Sequence, residues 1–109
     1  MRRINHIIEI LSTAALLAVP AAFVLAATPN AEFFTHLNAG TRAYESKDYA
    51  TAEAELSRAV KLAESFKQPD NWLAQALNDL SLVYDAEHKL QEAEDASKRA
   101  IDIRGKALG

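Results

Sequence analysis

Cysteine is absent from the 109 residues, which excludes a disulfide framework and any cysteine-based metal or redox site. Glycine and proline are scarce, at three each, so few residues that interrupt helices are present. Alanine, leucine, glutamate and lysine dominate, and that composition predicts an all-helical chain. Neither sign of charge accumulates: the formal net charge is −3, with both signs mixed through the second half, which argues against nucleic acid as a partner. The length allows at most one small domain.

Catalytic signatures are also missing. Beyond residue 27 the only histidines are His36 and His88, in unrelated positions, and neither lies one helical turn from a second histidine. No HExxH, glycine-rich phosphate loop or nucleophile motif occurs. The acids Glu92, Glu94 and Asp95 read as a solvated helix start. The expectation is a non-enzyme with no metal site and no cofactor.

One long apolar run does occur. "MRRINH" gives a positive start, and "ILSTAALLAVPAAFVLAA" follows as 18 residues from Ile10 to Ala27. Pro20 precedes small residues that suit signal cleavage, with Val24 and Ala26, or Leu25 and Ala27, at the two specificity positions. The same run is just long enough to be an uncleaved membrane anchor. Under either reading the positive start stays in the cytoplasm and the remainder is exported, periplasmic or secreted, or tethered outside by the anchor. Loss of residues 1–26 removes Arg2, Arg3 and Glu9 and takes the formal charge from −3 to −4.

After a linker at 28–32, with Asn30 as an expected N-cap, apolar spacing predicts four helices. The first covers about 31–46, with Phe33, Phe34, Leu37, Gly40 and Tyr44 at three- and four-residue steps, and "SKDY" breaks it. The second reaches about 66 through Ala52, Leu56, Ala59, Ala63 and Phe66. "KQPDN" is a loop, since Pro69 cannot continue a helix and Asp70 or Asn71 can cap the next. The third covers about 72–86 and the fourth about 90–107. Early acids (Glu53, Glu55; Glu92, Glu94, Asp95) and late bases (Lys61, Lys67; Arg104, Lys106) suit the helix dipole.

The two halves match at a fixed offset. Gly40 and Ser81, Tyr49 and Leu90, Ala52 and Ala93, Ala59 and Ala100, and Val60 and Ile101 each lie 41 residues apart. Small meets small and large meets large. A fixed period near the length of a helix pair marks a solenoid.

The later unit, "ALNDLSLVYDAEHKLQEAEDASKRAIDIRGKALG", carries Leu77, Leu80–Ser81, Tyr84, Leu90, Ala93 and Ala100–Ile101; the earlier carries Gly40, Tyr49, Ala52, Leu56 and Ala59–Val60. This pattern resembles the tetratricopeptide repeat, and its long period resembles the kinesin-light-chain type of about 42 residues. The resemblance implies an all-α fold of antiparallel helix pairs stacked as a short solenoid, with units at about 33–68 and 72–109. His36, Ala39 and Ser97 depart from the family pattern, Ser97 by replacing an aromatic of the last helix. Lys47 and His88 stand at turn positions the family often fills with glycine.

In such arrays the first helices of successive pairs line a groove that binds extended peptides or helices. Carried over by position, the partner-binding candidates are Phe34, Leu37, Asn38, Thr41, Tyr44 and Glu45, then Gln75, Asn78, Asp79, Leu82 and Asp85. Asn38 and Asn78 can both donate to and accept from a peptide backbone, while Phe34, Leu37, Tyr44 and Leu82 offer apolar contact. Lysine and arginine are too few near this face for a clamp on a carboxylate terminus. The alternative is structural. About three repeats usually make a stable array, and about 82 exported residues leave a single core marginal. Two units then pair end to end, with another copy or a larger protein, through Phe33 and Phe34 at one end and Ala96, Ile103 and Leu108 at the other.

Overall fold

The computed structural model describes residues 28–66 and 70–108, so the apolar run at 1–27 and its two readings lie outside the described residues. The chain divides into two units, residues 1–31 and 32–109, and only 28–31 of the first are described. There the Thr28 hydroxyl accepts from the Ala31 amide at 3.3 Å. Thr28 therefore caps the helix that the sequence assigned to Asn30. The shift follows from Pro29, whose fixed φ and missing N–H suit the first helical position.

Four helices follow: α1 (Pro29–Glu45), α2 (Tyr49–Glu64), α3 (Asp70–Ala86) and α4 (Leu90–Leu108). Asp48 caps α2 through the Thr51 amide at 3.3 Å. Asp70 and Asn71 lie inside the first turn of α3. The dipole reading holds for α4, with Glu92 in its first turn and Lys106 in its last. For α2 it holds at one end only: Lys61 lies in the last turn, but the first turn holds no acid, and the dipole effect fades beyond that turn. Glu53 instead accepts from Lys89 at 2.6 Å, and that bond holds its carboxyl below the ordinary range.

The turns after α1 and α3 repeat bond for bond. Lys47 donates to Tyr44 and Asp48 to Ala43, as His88 donates to Asp85 and Lys89 to Tyr84. These are the paired bonds that end a helix on a left-handed residue. Lys47 and His88 have φ of 63° and 61°, the conformation glycine adopts most easily. The 41-residue offset read from side chains is thus also an offset of backbone geometry.

The core is built from Phe33, Ala43, Ala52, Leu56, Ala59, Val60, Ala63, Ala74, Ala76, Leu77, Leu80, Val83, Ala96 and Ala100. Small residues predominate, so helices approach closely and the few large side chains fill the gaps between them. Gly40 shows the limit of that approach: a Cβ there would lie 2.5 Å from Leu56 Cγ. α3 packs on α2 and on α4, which joins the two helix pairs. Among the described residues no strand occurs, and the architecture is the short all-α solenoid expected.

The open ends differ from expectation. Phe33 is buried, at 1% exposure, and Ala96 is buried as well. Phe33 turns inward because its ring stacks on Trp72 (5.5 Å, 7° between planes) and meets the edge of Phe66. Ile103 is half-buried against the core, and the Leu108 side chain lies outside the described residues. His36, placed where an apolar residue is usual, hydrogen-bonds Glu55 of α2 at 2.6 Å. A polar bridge replaces the missing packing.

Candidate functional site

Helical periodicity turns one face of α1 inward and leaves the next free. Phe33, Gly40 and Ala43 are buried. Beside them Phe34, Asn38, Thr41, Tyr44 and Glu45 are exposed, and Leu37 is half-buried against the core. On α3 the same geometry exposes Gln75, Leu82 and Asp85 and half-buries Asn78 and Asp79. None of the expected partner-binding residues is buried. Large apolar side chains among them stay open, with Phe34 at 40%, Tyr44 at 37% and Leu82 at 48%.

The two faces meet in a cleft of about 260 Å³ lined by Thr41, Tyr44, Glu45, Leu56, Asp79 and Leu82. Five of these are expected residues; Leu56 is the addition. Sequence spacing read Leu56 only as core, and Gly40 explains its second role: with no side chain at 40, Leu56 reaches past α1 to line the cleft. Phe34 stands apart from this cleft, edge-on to Trp72 at 4.9 Å and to Phe33 at 5.1 Å. Tyr44 is steadied by Tyr49, whose ring centre lies 5.8 Å away.

Polar groups along the cleft are already oriented. The Thr41 hydroxyl donates to the Leu37 carbonyl at 3.0 Å, which leaves its oxygen able to accept. Gln75 donates to Asp79 at 2.9 Å. Burial pushes the Asp79 carboxyl above its ordinary range, against the Gln75 and Asn78 amides and the charge of Arg104, which pull it down. Among the described residues no group of three potential metal ligands occurs.

A larger cleft of about 380 Å³ lies among α2, α3 and α4, lined in part by Val60, Leu77, Leu80, Tyr84 and Ala96 and edged by the Glu64–Arg99 ion pair. None of the expected groove residues lines it, and of the residues expected at the open ends only Ala96 does.

The family model for the tetratricopeptide repeat matches residues 32–106. The chain is a tetratricopeptide-repeat protein. No curated protein and no solved structure gives a significant match, and the finer likeness to kinesin-light-chain-type repeats rests on the sequence wording alone. Tetratricopeptide-repeat domains are protein–protein interaction modules, typically without catalysis. In this tetratricopeptide-repeat protein large apolar side chains are exposed on α1 and α3, at Phe34, Tyr44 and Leu82, and on α4, at Leu90 and Ile101.

Proposed function

We propose that the chain is a non-catalytic, exported interaction module that binds a peptide or helix of a partner protein along α1 and α3. The observation that carries this reading is the shared cleft of Tyr44, Leu82 and Leu56 with polar groups at its edge. A concave apolar site with a few placed polar groups is the usual form of a binding pocket. Export rests on the positive start and apolar run of residues 1–27. A Tyr44→Ala, Asn78→Ala double variant is expected to weaken partner binding about tenfold or more, since an aromatic anchor alone is commonly worth over 1 kcal/mol. Co-precipitation from envelope extracts with quantitative mass spectrometry, beside a circular dichroism spectrum of each protein, measures this. Unchanged partner recovery with intact helicity would remove the groove as the binding surface.

A second reading, a structural subunit that pairs with another copy, is favoured by Leu90 and Ile101. They are 64% and 66% exposed, whereas Tyr49 and Val60, their counterparts 41 residues earlier, pack into the core. The difference is the neighbour: α2 is covered by α3, and the same face of α4 is bare. On this reading the full chain in detergent is a dimer by light scattering, and Ile101→Glu makes it a monomer with unchanged helicity. A monomeric wild type at 100 μM (roughly the upper range of a weak dimer's Kd) would end the reading.

A further inference from the structure

The helices that form the groove are unequal in charge to those behind them. α1 and α3 together hold Glu32, Glu45, Asp70, Asp79 and Asp85 against a single base, Arg42, and α3 has no base at all. The remaining bases of residues 32–109 lie on α2, α4 and the connecting segments. Within the cleft this imbalance is local, because Glu45 and Asp79 line the same 260 Å³ as Tyr44, Leu56 and Leu82. Two carboxylates, an aromatic ring and aliphatic walls form a setting for a long side chain with an apolar stem and a cationic head. The stem lies on leucine while the charge meets carboxylate and ring face.

We infer, resting on the groove reading above, that this cleft receives a lysine or arginine side chain of the partner segment. The occupant is therefore a basic peptide, and an acidic one is excluded by like charge. The surroundings of Asp79 add to this. It is half-buried and bonded to neutral amides, so an incoming cation supplies the counter-charge that burial withholds. Arg104 of α4 acts on Asp79 through its charge but is itself exposed and does not line the cleft.

The test uses the full chain in detergent and three fluorescein-labelled peptides, Ala-Leu-X-Leu-Ala with X as arginine, citrulline or glutamate. Binding is read by anisotropy, and the site by amide shifts around Tyr44 and Leu82. The arginine peptide is expected to bind at least tenfold tighter than the citrulline peptide, with the glutamate peptide weakest. Asp79→Asn and Glu45→Gln should each shrink that preference severalfold, and together bring it near parity, without loss of helicity. Arginine and citrulline peptides that bind equally, with shifts in the cleft, would overturn the cationic occupant and leave the groove reading standing. Shifts confined to α2 and α4, or no binding of any peptide at millimolar concentration, would overturn both.

Discussion

Phe33→Ala is expected to lower the melting temperature by about 15–30 °C, and Phe34→Ala by less, about 5–12 °C. A buried phenylalanine replaced by alanine costs about 3–5 kcal/mol. A domain of about 80 residues has only about 4–12 kcal/mol in total, and each kcal/mol is worth about 4–8 °C at this size. Phe33 is 1% exposed, stacked on Trp72 and edge-on to Phe66, so its loss opens a gap that three aromatic rings line. Phe34 is 40% exposed, and its two edge contacts, to Phe33 and Trp72, are worth about 0.5–1.5 kcal/mol each at most. Thermal melts by circular dichroism and by Trp72 fluorescence check the contrast. Equal losses from the two neighbours would show that this end is not packed as described.

The second large effect is a change of sign. Gly40→Ala is expected to destabilise by about 1–2 kcal/mol and Gly105→Ala to stabilise by about 0.5–1 kcal/mol, although both replace a helical glycine. Alanine gains close to 1 kcal/mol of helix propensity at either site. At Gly105 nothing lies within 4 Å of the added methyl, so most of that gain survives, less some fraying near the helix end. At Gly40 the methyl would meet Leu56 Cγ at 2.5 Å and Cδ2 at 2.9 Å. Leu56 is itself 1% exposed and cannot move aside. Overpacking of this kind costs about 1–3 kcal/mol, and more when backbones must part, which exceeds the gain. Urea midpoints measured on the two single variants decide it; a stabilising Gly40→Ala would mean α1 and α2 are not in close contact there.

Much of this was readable before the structure. Four helices, their order and the 41-residue offset follow from where alanine, glycine and leucine fall, because small residues at fixed steps are what close helix packing requires. Helix ends were less readable. Thr28, Pro29 and Asn30 each suit a helix start, and spacing alone does not choose among them; the proline decides by fitting the first helical position. Phe33 and Phe34 are adjacent and both apolar, and only the site of Trp72, about forty positions later, determines which one turns inward. Of the residues expected by position, Thr41, Tyr44, Glu45, Asp79 and Leu82 line one cleft. Leu56 was missed because a residue that is core on one side and wall on the other carries the same apolar signal for both. At Lys47 and His88 the sign of a left-handed residue lies in the position, which the family often fills with glycine, rather than in the side chain; the turn geometry imposes φ of 63° and 61°.

The packing of α3 against both α2 and α4 also determines how the molecule can come apart. A long array of such units behaves as a row in which each member is held by two neighbours, and an end member can melt while the rest persists. Among the described residues two helix pairs share one junction, made by α3 on α2. Whichever of these pairs opens first takes with it the contact that the other has across that junction. Melting of α1 to α4 is therefore expected as one cooperative step.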